Sequence, residues 1–216
     1  MCGIVGIYLK TKKLEKNLGK LLSGMLNNME SRGPDSAGFA IYKDEGKKVY
    51  KFSLCINDLN FNNFKKEISK KIKKAKFIQI SDHVILKTFE KPNKVIEIIN
   101  STFPKVSIVG YGRSIEIFKQ VGNPKDVVKK FKLDNFSGTH GIGHTRMATE
   151  SAITTDGSHP YSTGEDECLV HNGSLSNHNN LRRALTKKGN TFHSENDTEV
   201  AAGYVSNSLS NNKSLK

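Results

Sequence analysis

The first hydrophobic run, Gly3 to Leu9, is short, β-branched and unbroken by charge, the pattern of a buried strand. Behind it Leu18, Leu21, Leu22, Met25, Leu26 and Met29 recur at helical spacing, which predicts a helix from about Leu14 to Met29. Ser31 to Gly38 is dense in turn residues and leads into a strand, Phe39 to Tyr42. From Lys43 to Asn135 short strand-like runs (Val49 to Cys55, Val84 to Thr88, Val106 to Gly110) alternate with lysine-rich helices. One of these helices carries a stripe of Phe64, Ile68 and Ile72. A third block follows. Gly141 to Glu150 runs from strand into polar loop, and Cys168 to Asn177 is a short strand breaking at an Asn-Gly turn. Ser194 to Glu199 reads as the capped start of a helix carrying Val200, Ala201, Tyr204 and Val205. There is no internal repeat, and Asn207 to Lys216 is a Ser-, Asn- and Lys-rich tail.

A chain of 216 residues fits one domain or two small ones. Hydrophobic residues at 36% and charged residues at 25% exclude a disordered chain. No apolar run approaches the ~18 residues of a spanning helix. The opening run lacks the basic lead and small-residue cleavage site of a secretory signal. Three cysteines without a CxxC pair exclude a disulfide scaffold and a zinc ribbon, so a reducing cytoplasm is the expected compartment.

The net charge of +13 changes the picture less than its size suggests, because it is local. Between Ile41 and Asn135 there are 21 basic and 10 acidic residues, against 13 and 11 in the rest of the chain. The centre, Lys65 to Lys76, reads as a helix with solvated lysine faces. A single arginine, Arg113, and little aromatic interleaving give base readout no support, so neither nucleic acid nor membrane is an expected partner. Tyr111-Gly112-Arg113-Ser114 has the outline of a phosphate-cradling turn, but one glycine pair is weak evidence for a nucleotide. His140 and His144 share a strand face without a third ligand nearby. No metal site and no cofactor are expected.

The candidate chemistry starts at Cys2, small enough for the initiator Met to be removed. A cysteine at a mature N-terminus carries its own base, since an α-amine titrates near 8. A thiol attacking a carbonyl needs donors aimed at the developing oxyanion, and Asn172-Gly173 offers an amide NH₂ beside a glycine N–H. A substrate bearing both α-carboxylate and α-ammonium also needs a fixed cation and a fixed anion. Arg146 can fork the carboxylate and Asp197 can accept from the ammonium. Each of these residues alone has a plain structural reading: a buried strand cysteine, a hairpin turn, a surface ion pair, a helix cap.

Five segments occur in order: Cys2-Gly3-Ile4-Val5-Gly6-Ile7, Arg32-Gly33-Pro34-Asp35-Ser36-Ala37-Gly38, Gly143-His144-Thr145-Arg146-Met147-Ala148-Thr149, Val170-His171-Asn172-Gly173 and Ser194-Glu195-Asn196-Asp197-Thr198-Glu199-Val200. Together they resemble the class II glutamine amidotransferase domain of the N-terminal nucleophile hydrolases. The glutaminase half of glucosamine-6-phosphate synthase is similar. The forms RGPDSAG, TRMATES and SENDTEVAAGY are nearer to the glutamine amidotransferase subunit of archaeal-type glutamate synthase and N-methylglutamate synthase.

The resemblance implies glutamine hydrolysis through a thioester. It makes Cys2 the nucleophile, its amine the base, Asn172 and Gly173 the oxyanion hole, and Arg146 and Asp197 the substrate clamp. Thr149 helps position glutamine, and Arg32 and Asp35 support the nucleophile strand. Ammonia passes to a synthase partner, glutamate-synthase-like by first choice. The implied fold is α+β, a four-layer αββα sandwich. In the family its further strands follow the helix near Glu195, so the sandwich is expected to be incomplete at the C-terminus and to carry a long α/β insertion at about 43–135. The alternative readings are a truncated, non-catalytic amidotransferase-fold module and a basic binder acting through residues 43–135.

Overall fold

The computed structural model describes residues 2–44, 48–148 and 152–211. In chain order the elements are β1 (Gly3–Tyr8), α1 (Leu18–Asn27), β2 (Ser36–Tyr42), β3 (Tyr50–Cys55), α2 (Phe61–Lys71), β4 (Lys76–Ile80) and β5 (His83–Thr88). They continue as α3 (Pro92–Thr102), β6 (Ser107–Gly112), β7 (Ile115–Val121), α4 (Pro124–Phe131), β8 (His140–Arg146), α5 (His178–Thr186) and α6 (Asp197–Ser210). The fold is α+β. Among the described residues the strands form two four-stranded sheets, ordered β1-β8-β2-β7 and β4-β5-β3-β6, and the pairings within the sheets are antiparallel.

Three apolar cores separate four layers. Leu18, Leu22 and Leu26 of α1 and Val127, Val128 and Phe131 of α4 pack on Val5, Phe39, Ile41 and Phe118, one face of the first sheet. Ala40, Ile115 and Ile117 on its other face meet Cys55 and Val109 of the second sheet. Phe52, Leu54, Val84 and Leu86 on the far face of that sheet are covered by Phe64 and Ile68 of α2 and Val95 and Ile99 of α3. Helices, sheet, sheet and helices therefore follow one another, as a layered sandwich requires. A fully buried Phe or Ile contributes roughly 1.5–3 kcal/mol to holding these layers, and Phe64, Ile68, Val95 and Ile99 have no exposure at all.

The second sheet is a split βαβ unit, β3-α2-β4-β5-α3-β6, built from one contiguous stretch. Its helices start on recognisable chemistry. The Asn60 side chain accepts from the Asn63 N–H at α2 (3.0 Å), and Pro92 opens α3, where the missing N–H costs nothing. Lys70 and Lys71 in the last turn of α2 face the negative end of its dipole.

Local differences from the sequence reading have physical reasons. The first helix is shorter than the span from Leu14 to Met29, because Lys12–Asn17 and Glu30–Arg32 are 3-10 turns flanking the α-helix. β2 begins at Ser36, inside the turn-rich segment, because Ser36, Ala37 and Gly38 pair with both β8 and β7. A side chain at Gly38 would collide with the His159 carbonyl. The strand expected from Cys168 is only an isolated bridge, Leu169 to Tyr161.

The outlined phosphate turn is filled by the chain itself. Backbone N–H groups of Arg113, Ser114 and Ile115 donate to the Asp166 carboxylate at 2.9, 2.8 and 3.0 Å, and a side chain at Gly112 would strike that carboxylate. No nucleotide fits there. Among the described residues no helix is long and apolar enough to cross a membrane.

Candidate active site

Cys2 precedes β1, at the edge of the first sheet, and neighbouring β8 delivers Arg146 and Met147 to the same end. The Cys2 thiol lies 3.5 Å from the Met147 N–H and 3.8 Å from its carbonyl. Its own carbonyl is clamped by two donors, Arg32 Nε at 3.3 Å and Asn172 Nδ2 at 3.0 Å. Two donors from segments 30 and 170 residues away thus fix where the thiol can sit. Asn172 retains its second amide hydrogen for another acceptor. Asp35 holds the next loop: its carboxylate accepts from the Ala148 N–H (2.8 Å), and its N–H donates to the Arg146 carbonyl (3.1 Å).

The opposite wall is α6. Its cap is Asn196, whose side chain accepts from the Thr198 N–H (2.9 Å), while Asp197 and Glu199 occupy the positive first turn. Glu199 accepts from the His193 and Ser194 N–H groups, both at 2.8 Å, and ties the incoming loop to the helix. This realises the capping chemistry read from Ser194 to Glu199. Asp197 accepts from the Leu175 N–H (2.6 Å) and from the Thr198 hydroxyl (3.2 Å), which places its carboxylate beside the turn that follows Asn172-Gly173.

Cys2, Arg146, Asn172, Gly173 and Asp197 line one cleft of about 1090 Å³. That is slightly above the usual range of small-molecule pockets, roughly 300–1,000 Å³, and leaves room for an amino acid with water. Arg146 is buried and donates to the Ala152 carbonyl at 3.2 Å. Thr149 lies outside the described residues.

A polar chain that periodicity could not reveal runs into the cleft wall, which His159, His171 and Thr198 also line. The rings of His144 and His159 stack at 3.9 Å. His144 Nε2 meets the His171 carbonyl at 3.0 Å, and His159 Nε2 meets the Thr198 hydroxyl at 3.0 Å. Burial drives both rings toward the neutral form, His144 down to about 4 and His159 well below the usual range. Lys119 of β7 is buried, donates to the Asp156 and Ser158 carbonyls at 3.1 and 2.9 Å, and lies over the Tyr161 ring. Burial lowers it to about 8. Arg182 of α5, a cleft residue missed in the sequence, donates to the Ser194 and Asn196 carbonyls. None of these has a local signal, because each partner is distant in the chain.

Among the described residues one group, Cys55, Asp82 and His83, has the spacing of metal ligands. Two of its donors are paired with each other, while His83 Nε2 is buried without a hydrogen-bond partner. Asp82 pairs with His83 Nδ1 (3.0 Å) and Lys130 (2.9 Å), and burial pushes the Cys55 thiol up to about 11.

A cleft with a thiol at one end, a buried guanidinium, an amide-glycine turn and a carboxylate has the parts for acyl transfer from a zwitterionic amide. Residues 134–208 match the family described as the glutamine amidotransferase domain. The chain is 48% identical over 218 residues to the glutamine amidotransferase-like protein GlxB of Rhizobium meliloti (strain 1021), covering all of this chain and 72% of the relative. A relative from Methanothermobacter thermautotrophicus is 32% identical over 231 residues, again over the whole of this chain and 75% of its own. A third likeness is partial. Glutamine–fructose-6-phosphate aminotransferase of Bradyrhizobium diazoefficiens is 40% identical over 98 residues, 45% of this chain and 16% of that enzyme. The chain belongs to the glutamine amidotransferase family.

Proposed function

We propose that the protein hydrolyses L-glutamine to glutamate and ammonia through a thioester on Cys2, as a class II, N-terminal nucleophile enzyme. With Met1 removed, the Cys2 α-amine takes the thiol proton. Sulfur then bonds to the side-chain amide carbon, and the oxyanion is held by Asn172 Nδ2 and the Gly173 N–H. The amine returns the proton to the leaving nitrogen as the C–N bond breaks and ammonia departs. Water, deprotonated by the same amine, then cleaves the C–S bond and releases glutamate. Arg146 binds the α-carboxylate, Asp197 the α-ammonium, and Thr149 helps position the side chain. Arg32 and Asp35 are supporting residues, the first through the Cys2 carbonyl and the second through the loop after β8.

The observation that carries this reading is the convergence of Cys2, Arg146, Asn172, Gly173 and Asp197, from widely separated parts of the chain, on one cleft. Ammonia passes to a synthase partner in the cytoplasm. A glutamate-synthase-like subunit is the first choice, supported by the form of the RGPDSAG and SENDTEV segments. We also take residues 43–135, which build the second sheet and carry β7 and α4 as well, to be an inserted segment of the amidotransferase domain.

Intact mass before and after 6-diazo-5-oxo-L-norleucine tests the chemistry. The expected result is a chain without Met1 that gains one adduct on Cys2, and none in Cys2→Ala. A folded protein that keeps Met1, or that takes no adduct, would leave a non-catalytic module of the same fold.

A further inference from the structure

Thr198, in the first turn of α6, is buried, yet its hydroxyl has three polar neighbours. Its Oγ1 lies 3.2 Å from Asp197 Oδ1, 3.0 Å from His159 Nε2 and 3.4 Å from His171 Nδ1. The chemistry of the groups sets the direction of these bonds. An ionised carboxylate only accepts, so the hydroxyl hydrogen goes to Asp197. His159 Nε2 then carries a hydrogen and donates to the hydroxyl oxygen, and its lone pair is left at Nδ1, a buried atom without a partner. His144, stacked on His159, obeys the same rule. Its Nε2 faces the His171 carbonyl, which can only accept, and its Nδ1 is likewise buried and bare.

The other oxygen of Asp197, Oδ2, accepts from the Leu175 N–H at 2.6 Å. One donor on each oxygen fixes the plane of the carboxylate and still leaves each oxygen able to accept from a ligand in the cleft. Leu175 contributes backbone, so the side chain on which this orientation turns is Thr198. The helix itself has no use for the hydroxyl, because Thr and Val have nearly the same helix propensity. We infer that Thr198 is a positioning residue: its hydroxyl, backed by His159 on the His144 ring, aims the Asp197 carboxylate at the substrate's α-ammonium and so sets the preference for an amide that carries one. This rests on the proposed role of Asp197. The ammonium is remote from the bond that breaks, so loss of the hydroxyl weakens binding and leaves the chemical step alone.

The experiment compares L-glutamine with glutaramate, the same amide without the α-amino group, as substrates of the whole chain. Thr198→Val should raise KM for glutamine about tenfold, with kcat within about threefold, as expected from losing a hydrogen bond to a charged group. It should leave kcat/KM for glutaramate within about twofold. Thr198→Ser keeps the hydroxyl and should hold KM within about threefold of wild type. His159→Phe keeps a flat ring on His144 but cannot donate; it should raise KM for glutamine about threefold, and it serves where Thr198→Val does not fold. Equal losses on the two substrates, a fall in kcat at constant KM, or a Ser variant as impaired as the Val variant would each overturn the assignment. Asp197→Asn tests the reading beneath it and should abolish the preference for glutamine. If that preference survives Asp197→Asn, or if wild type shows none or turns over neither substrate, the substrate reading falls and takes this role with it. If Asp197→Asn removes the preference and Thr198→Val does not, the positioning role alone falls.

Discussion

The second sheet and the cleft end of the first are built on opposite principles. The split βαβ unit from Tyr50 to Gly112 closes its apolar core with its own two helices, all from consecutive chain. The cleft brings together residues 2, 32, 146, 172 and 197, and is held by polar bonds across 30 to 170 residues. Packing of the first kind is local, cheap in loop-closure entropy and insensitive to any one hydrogen bond. The second kind concentrates function where a single side chain fixes the position of another.

The largest test of this contrast is Phe64→Ala. Phe64 is completely buried against Phe77 and Phe103, so truncation should cost about 4 kcal/mol. Hydrogen exchange should localise the loss to the Tyr50–Gly112 unit while the β1–β8 amides stay protected. Simultaneous opening of both sheets would break the comparison.

Asn172→Ala probes the other side. On the proposed mechanism, losing one oxyanion donor together with one clamp on the Cys2 carbonyl should lower kcat for glutamine hydrolysis by about 100- to 1,000-fold, roughly 3–4 kcal/mol. The melting temperature should move little. A fall in KM affinity with kcat preserved would assign Asn172 to binding instead.

Acid sharpens the contrast further. His144 binds its proton near 4 when folded and near 6.5 when unfolded. The unfolded chain therefore takes up more protons between those values, and stability is full above 6.5 and lost as pH falls toward 4. The loss is about 3 kcal/mol, and His159 adds to it in the same direction. Denaturant midpoints from pH 7 to 4 would read this, and His144→Asn should flatten the slope.

The smallest effect belongs to the lysine face of α2. Lys70 and Glu67 pair at 2.6 Å in the open, and Glu67→Ala should change stability by less than about 0.5 kcal/mol. A larger change in the melting temperature would mean that this face is more than a solvated surface.

What the sequence reveals follows the same division. Hydrophobic spacing locates β1, the stripe of α2 and β5, because burial there is periodic and local. It misses β7, whose Lys119 is buried yet charged in type, and α5, whose apolar face is little more than Leu185. It overextends the first helix, since 3-10 turns share apolar positions with the α-helix between them. For the cleft, residue type and motif order name Cys2, Arg146, Asn172, Gly173 and Asp197. They cannot supply the stack of His144 on His159 or the link through Thr198 to His171, where partners lie 15 to 39 residues apart.

The Asp166 carboxylate has a mechanical consequence. Its three bonds fasten the middle of the 152–175 segment to the hairpin where β6 passes into β7, at the seam of the two sheets. A shift of that hairpin must either carry Asp166 with it or break all three bonds, and a few residues further along the same segment stand His171 and Asn172. The seam and the cleft are thus joined by a short stretch of the same chain.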